Sequence, residues 1–296
     1  MGDHSYIISG HEISAPPLEP ALYLVSTPIG NLGDMTIRGL ETLAACDVLA
    51  CEDTRITRRL LDRYGIAQKP YAYHEHNAQK VGPKLIEQLS AGRSVALVSD
   101  AGTPLVSDPG YRLGLEAREA GFRVIPIPGA SAVLAGLAAS GLPSDDFRFV
   151  GFLPNKDGTR RNFLEALSHV QSTLIAFEAP TRLASSLKAI SDVMGQDRMI
   201  CVGRELTKRF ETVLTMKASE MSEHFEGETI KGEIVILISP SQTADAPTSD
   251  EDIDAILKSL LQEMSASKAA KEAAKMTGLQ KSDLYARLLN FKDNDG

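Results

Sequence analysis

A chain of 296 residues, 43% of them hydrophobic, is long enough to bury more than one core and is more comfortable as two domains than as one. Its net charge of −8 excludes a general polyanion binder, so any contact with nucleic acid has to come from a local basic patch. Cys46, Cys51 and Cys201 form no CxxC pair and no even framework, which excludes a disulfide scaffold and fits small core residues in a reducing compartment. No run of about 18 apolar residues occurs, so no membrane span is expected and a cytoplasmic enzyme is the default.

Residues 1–19 lack a basic flank followed by an apolar stretch and are expected to form a disordered extension. Short apolar runs at 21–27, 47–51, 94–99 and 122–127 then alternate with helix-period segments near 36–46, 54–64, 82–91 and 108–120. That alternation predicts a parallel, doubly wound α/β domain over residues 20–143. Its last helix, 129–140, is rich in alanine and leucine and stops at Gly141 and Pro143. A second α/β domain over residues 144–240 has strands at 147–153, 173–177, 199–203, 212–216 and 233–238 with few helices between them, which predicts a mixed sheet. Residues 241–252 are polar and acidic and are expected to be a linker. The tail, 253–292, has helices near 253–264, 267–276 and 282–289, with a stop at Gly278 and a cap at Ser282, in helix-turn-helix spacing. Between residues 255 and 292 it carries seven Lys or Arg against three acids, which suits either RNA or DNA contact or a solvated helical face.

Four loops should meet at the carboxyl edge of the first sheet: STPIGN at 26–31, ACEDTR at 50–55, SDAGTP at 99–104 and PGASA at 128–132. None matches a dinucleotide fingerprint or a P-loop. The most informative is the third, where a buried strand delivers Asp100 into a turn. Gly102 there lets backbone approach a ligand, and Thr103 adds a hydroxyl for a sugar-like or ammonium group. His74, Glu75 and His76 alternate along a strand without a third ligand at metal spacing, so no metal site is expected.

STPIGNLGDMTIRGL, EDTR, YHEHN, SDAGTPLVSDPG, PGASA, GFLP and RELTKRFE followed by KGE stand in one order between residues 26 and 233. In that order the chain resembles the tetrapyrrole methylase superfamily of S-adenosylmethionine enzymes, most closely the branch that methylates a cytidine 2′-oxygen in 16S rRNA. The resemblance runs from Leu22 to Ile238, and the tail resembles the branch's small C-terminal helical domain. It implies the fold class α/β, with a parallel doubly wound N-domain, a mixed-sheet second α/β domain and a small C-terminal helical domain. It further implies S-adenosyl-L-methionine as methyl donor, held between the domains by Pro28, Asp100, Thr103, Ala130 and Ser131 with backbone near Phe177 and Gly232. The partner implied is 16S rRNA in the small ribosomal subunit, and the expected assembly is a homodimer. One departure stands out: the branch usually shows Ser-Pro-His-Arg where this chain has Ala179, Pro180, Thr181 and Arg182.

A ribose hydroxyl is a weak nucleophile, so a site of this kind must orient it and accept its proton late. Glu52, Asp53, Glu178 and Glu205 are the acids in signature positions, and spacing alone does not choose among them. Positive clusters that could track phosphates are Arg38, Arg55, Arg58 and Arg59; Lys156, Arg160 and Arg161; and Arg204, Lys208 and Arg209. Tyr71, Tyr73 and Phe152 are candidate stacking surfaces for a splayed-out base. The rival enzyme is a methylase of a small tetrapyrrole or corrin precursor, which would have no use for a basic tail. A rival from another class is a nucleic-acid-binding regulator whose α/β part only senses a ligand.

Overall fold

The computed structural model describes residues 4–106, 110–241, 250–277 and 279–294. These divide into two compact units, residues 1–240 and 241–296. The first unit holds two five-stranded sheets.

The first sheet is parallel throughout. Its strands are β3 (Leu22–Val25), β4 (Val48–Cys51), β5 (Pro70–Ala72), β6 (Val95–Val98) and β7 (Val124–Ile127), in the order β5-β4-β6-β3-β7. Parallel strands need crossovers, supplied by α1 (Ile37–Ala45), α2 (Thr54–Arg63), α3 (Ala78–Ser90) and α4 (Tyr111–Glu119). Because strand side chains alternate, Tyr23, Val25, Ala96 and Val98 join one core with Leu40, Leu43 and Leu61. Leu22, Val95 and Leu97 join another with Val81, Leu85 and Leu113. Burying each such leucine or valine contributes roughly 1.5–3 kcal/mol, so two filled faces fix the register of every strand.

The second sheet is mixed. It contains β8 (Phe147–Phe152), β9 (Thr173–Glu178), β10 (Met199–Arg204), β11 (Thr212–Lys217) and β12 (Ile234–Ile238), in the order β11-β10-β12-β9-β8. Only β8 and β9 run parallel; β12 runs antiparallel to both β9 and β10. Helices α6 (Asp157–Leu167), α7 (Leu183–Met194) and α8 (Ala218–His224) share a core with Leu174, Ile200, Val202 and Ile236 on one face. The opposite face, with Ile175, Cys201, Val235 and Leu237, is covered by α5 (Ala132–Ser140). Gly136 allows this: a Cβ there would already stand 3.3 Å from Val235 and 3.4 Å from Leu237. Helix α5 follows the first sheet in sequence yet packs on the second.

Residues 1–19 are not a disordered extension, because β1 (Ser5–Ile8) and β2 (His11–Ser14) pair as an antiparallel hairpin. Tyr6, only 1% exposed, sits in the first sheet's core; the Ile7 amide donates to the Tyr64 carbonyl at 2.7 Å, and His4 Nδ1 lies 2.9 Å from the Ala44 carbonyl. Strand β5 is short and ends at Ala72, so His74, Glu75 and His76, expected along a strand, lie in the turn that leads into α3. Helix α3 starts at Ala78 rather than near residue 82, with Pro83 inside it.

The second unit consists of α9 (Asp250–Glu263), α10 (Ala266–Thr277) and α11 (Lys281–Asn294) around Ile253, Leu257, Ala269, Ala273, Leu284 and Leu288. Arg287 bonds Asp254 across this core. Ser282 does not cap α11 but lies inside it, its hydroxyl bonding Asp283 at 3.1 Å. The expected stop at Gly278 and most of the expected linker lie outside the described residues, as do residues 107–109 of the SDAGTPLVSDPG run.

Candidate active site

In the first sheet the chain moves one way after β3 and the other way after β6, and these strands are neighbours. Their carboxyl ends therefore border the crevice where ligands bind in open α/β sheets. The loops leaving them are stitched together: the Thr27 and Gly102 amides each donate to the other's carbonyl, at 2.9 and 3.0 Å. Ser26 and Thr103 hydroxyls lie 3.0 Å apart, and Thr27 Oγ1 donates to the Ser99 carbonyl at 3.2 Å. Gly102 has φ +78°, a conformation that favours glycine, and a Cβ there would already touch Ile29 at 3.5 Å. Asp100, half-buried at the end of β6, accepts from the Asp53 amide at 3.0 Å. Burial, then the nearby Asp53 charge, raises its carboxyl above the ordinary range. The PGASA loop closes over Ser26, and Ser131 caps α5 by accepting from the Leu134 amide.

The second sheet supplies the opposite wall from strand ends of both senses. Ile234 at the start of β12 pairs with Glu178 at the end of β9 and with Arg204 at the end of β10. Antiparallel pairing thus brings Phe177, Gly232 and Glu205 to one edge. Phe177 stands edge-to-face with Phe149 and Phe152, with centroids 4.9 and 5.4 Å away. Between the walls lies a cavity of about 440 Å3, lined by Asp100, Gly102, Thr103, Ser131, Phe177 and Gly232 together with Ile29, Glu52, Phe152, Glu178 and Glu233. Mostly apolar walls with a few converging polar groups are the usual make-up of a small-molecule site. A neighbouring cavity of about 490 Å3 shares Ile29, Asp100, Ala101 and Glu233 with it and adds Pro28, Leu32, Ile56, Arg59, Leu60 and Lys208.

Five of the seven residues expected at a cofactor line the first cavity, Pro28 opens on the neighbour, and the Ala130 carbonyl lies behind Gly102. The four carboxylates separate. Glu52 lines the first cavity. Asp53 caps α2, and its bonds to the Arg55 side chain and amide pull its carboxyl down to about 2. Glu178, buried, is committed: Oε1 accepts from the Ala179 amide at 2.7 Å and from Arg182 at 2.9 Å, and Oε2 from the Ser186 hydroxyl. It organises the turn in which this chain departs from the Ser-Pro-His-Arg pattern, rather than offering an oxygen to the cavity. Glu205 is held low by Lys208 at 2.7 Å and by the Glu233 amide.

The positive residues scatter. Arg59 lines the second cavity and Lys208 bridges Glu205 and Glu233, with its aliphatic chain over Gly30. Arg55 is exposed but paired with Asp53; Arg38 reaches the Pro126 carbonyl, and Lys156 is exposed at the start of α6. Arg204 bonds the Lys231 carbonyl, away from either cavity. Arg160 is a correction: it is 2% exposed, bonded to the Pro154 and Asn155 carbonyls and Asp157, and shapes the GFLP loop instead of facing a phosphate. Tyr73 is likewise core, whereas Phe152, 58% exposed, stands at the cavity. Glu233 was not singled out; the KGE run that carries it was the available signal.

The family model described as Tetrapyrrole (Corrin/Porphyrin) Methylases matches residues 21–222, and the one described as the RsmI C-terminal HTH domain matches 247–292. A relative from Mesorhizobium japonicum named "Ribosomal RNA small subunit methyltransferase I" is 61% identical, covering 96% of this chain and 97% of its own. One of the same name from Vibrio cholerae is 43% identical over 92% and 95%. Among solved structures, a diphthine synthase superposes with a TM-score of 0.59 at 18% identity over 74% of this chain and 89% of its own. A cobalt precorrin-4 methyltransferase does so with 0.57 at 16% over 74% and 95%. These last two share the fold of the α/β core, with its parallel sheet and mixed sheet, and the C-terminal helical unit is matched by the family model over residues 247–292. The chain belongs to the tetrapyrrole methylase family, in the branch whose members are named ribosomal RNA small subunit methyltransferase I.

Proposed function

We propose that this protein transfers a methyl group from S-adenosylmethionine to a ribose 2′-hydroxyl of a cytidine in the 16S rRNA of the small ribosomal subunit. The observation that carries this reading is the cavity of about 440 Å3 built at the switch point of the parallel sheet, in a chain 61% identical to a relative named as a methyltransferase of small-subunit ribosomal RNA. The residues fit the donor. Phe177, Val133 and Ile234 offer apolar surface for a heterocycle; Gly232, at φ +101°, brings backbone to the lining; Thr103, Ser131, Asp100 and Glu52 offer partners for sugar hydroxyls and an ammonium group. When bound, the sulfonium supplies a methyl group that is already activated. What remains for the chain is to hold the two reactants in line, to keep water out with Phe152 and Phe177, and to receive a proton. Glu52 and Asp100 are the carboxylates placed for that last task, directly or through water.

Action in the cytoplasm as a homodimer is part of the same proposal. Incubating the protein with methyl-labelled S-adenosylmethionine and small subunits from a strain lacking the modification should label 16S rRNA at a 2′-oxygen; light scattering should give twice the chain mass. Unlabelled RNA, with the donor bound, would reject the substrate assignment.

A further inference from the structure

Resting on that reading, we propose that the second cavity is the subsite for the acceptor nucleotide, with Arg59 holding its phosphate and the Asp100 wall facing its sugar. Four observations on the neighbouring cavity converge. It shares a wall with the donor cavity through Ile29, Asp100, Ala101 and Glu233, so a sugar placed there adjoins the donor without competing for its space. Its volume, about 490 Å3, lies within the range of small-molecule sites.

The cavity also has an apolar side. Leu32 and Ile56, 39% and 40% exposed, both line it, beside Leu60 and Pro28. Two large aliphatic side chains of one lining left partly in water offer apolar surface to a flat ligand, and a splayed-out nucleobase has such faces.

Charge then orients the ligand. Lys208 is already neutralised by Glu205 at 2.7 Å and Glu233 at 3.1 Å. Arg59, exposed on α2, is the cation of this lining without an ion pair among the described residues. A phosphate therefore belongs on Arg59, which is exposed, and hydroxyls belong toward the half-buried Asp100, whose carboxylate supplies an acceptor. With two carboxylates in the same lining, a ligand carrying one phosphate is favoured over a di- or triphosphate.

The test uses cytidine 5′-monophosphate as probe and the full chain. Wild-type protein should bind it saturably, with S-adenosylmethionine present or absent, and no more weakly than it binds cytidine triphosphate. Arg59→Ala should weaken the probe about tenfold or more, the usual effect of losing a charge-assisted contact, and raise KM for small subunits while leaving donor binding by calorimetry unchanged. Ile56→Asp, an exposed position that does not threaten folding, should act in the same direction; Arg118→Ala, exposed on α4, should change neither constant. Failure of the probe to bind, wild-type affinity in Arg59→Ala, or competition between probe and donor for one cavity would each overturn the subsite. Absence of label transfer by wild type would count against the methyl-transfer reading instead, and loss of probe binding with Arg59 would still stand for the subsite.

Discussion

The two sheets of the first unit reach the same cavity by different routes. A parallel sheet puts every strand's carboxyl end on one edge, so its contribution is loops: STPIGN, ACEDTR, SDAGTP and PGASA, all flexible in sequence and pinned by backbone bonds such as the Thr27–Gly102 pair. The mixed sheet places amino and carboxyl ends side by side, so its contribution is strand termini fixed in register, Glu178 against Ile234 and Ile234 against Arg204. The lesson is a division of labour: open backbone and hydroxyls come from the first sheet, and a rigid apolar wall with its anchoring carboxylates from the second.

If the second edge is scaffold, its anchors should cost stability when removed. Glu178→Ala leaves Arg182, Ser186 and the Ala179 amide without their acceptor and is expected to destabilise by about 3 kcal/mol or more, the range for breaking a buried pair. Urea unfolding measures it, and a variant as stable as wild type would remove the scaffold assignment. On the first sheet's side, Tyr6→Ala should cost about 3 kcal/mol, in line with truncation of a buried aromatic ring; an unchanged midpoint would mean that the N-terminal hairpin is ornamental.

Smaller effects sharpen the contrast. Gly232 has φ +101°, and a Cβ there would lie 2.5 Å from Glu205, so Gly232→Ala strains the backbone by about 1–2 kcal/mol and displaces a side chain at the wall. Donor affinity should fall about tenfold by calorimetry, a 1.4 kcal/mol change. The smallest effect belongs to Asp53, whose carboxyl is held at about 2 by Arg55. A depressed value in the folded state means that its contribution is present above the ordinary carboxylate range near 4 and fades as pH falls toward 2. The melting temperature of wild type should therefore drop more than that of Asp53→Asn between pH 5 and pH 2.

Most strands were legible because runs such as VALV and IVILI are buried on both faces and bounded by turn residues. The N-terminal hairpin was missed because β2 is exposed along its whole length and shows no apolar face; the signal available was Ser9-Gly10, both at positive φ between alternating segments. The helix expected near 82–91 opens earlier, at Ala78, and carries Pro83 well inside it, where proline ordinarily marks a helix start. Three of the cofactor candidates that line the cavity, Asp100, Thr103 and Ser131, stand in glycine- and proline-marked turns at strand ends, whereas Phe177 and Gly232 were implied by the family resemblance alone. Charge told less: nothing in a lone arginine's letter separates Arg160, folded into carbonyls, from Arg59, facing a cavity. Nor could spacing see that Glu178 and Glu205 are already taken.

Helix α5 lies on the sheet that follows it, so the chain leaves one folded body and enters the other through residues 128–131, and Ser131 of that passage faces the cavity. A molecule seated there touches both bodies at their crossing and is bound only when the two are correctly assembled. Occupancy and folding are then thermodynamically linked: at a hundred times its dissociation constant such a molecule adds about 2.7 kcal/mol to the folded state. Thermal melting thus becomes a titration of the crossing itself, readable before any product is made.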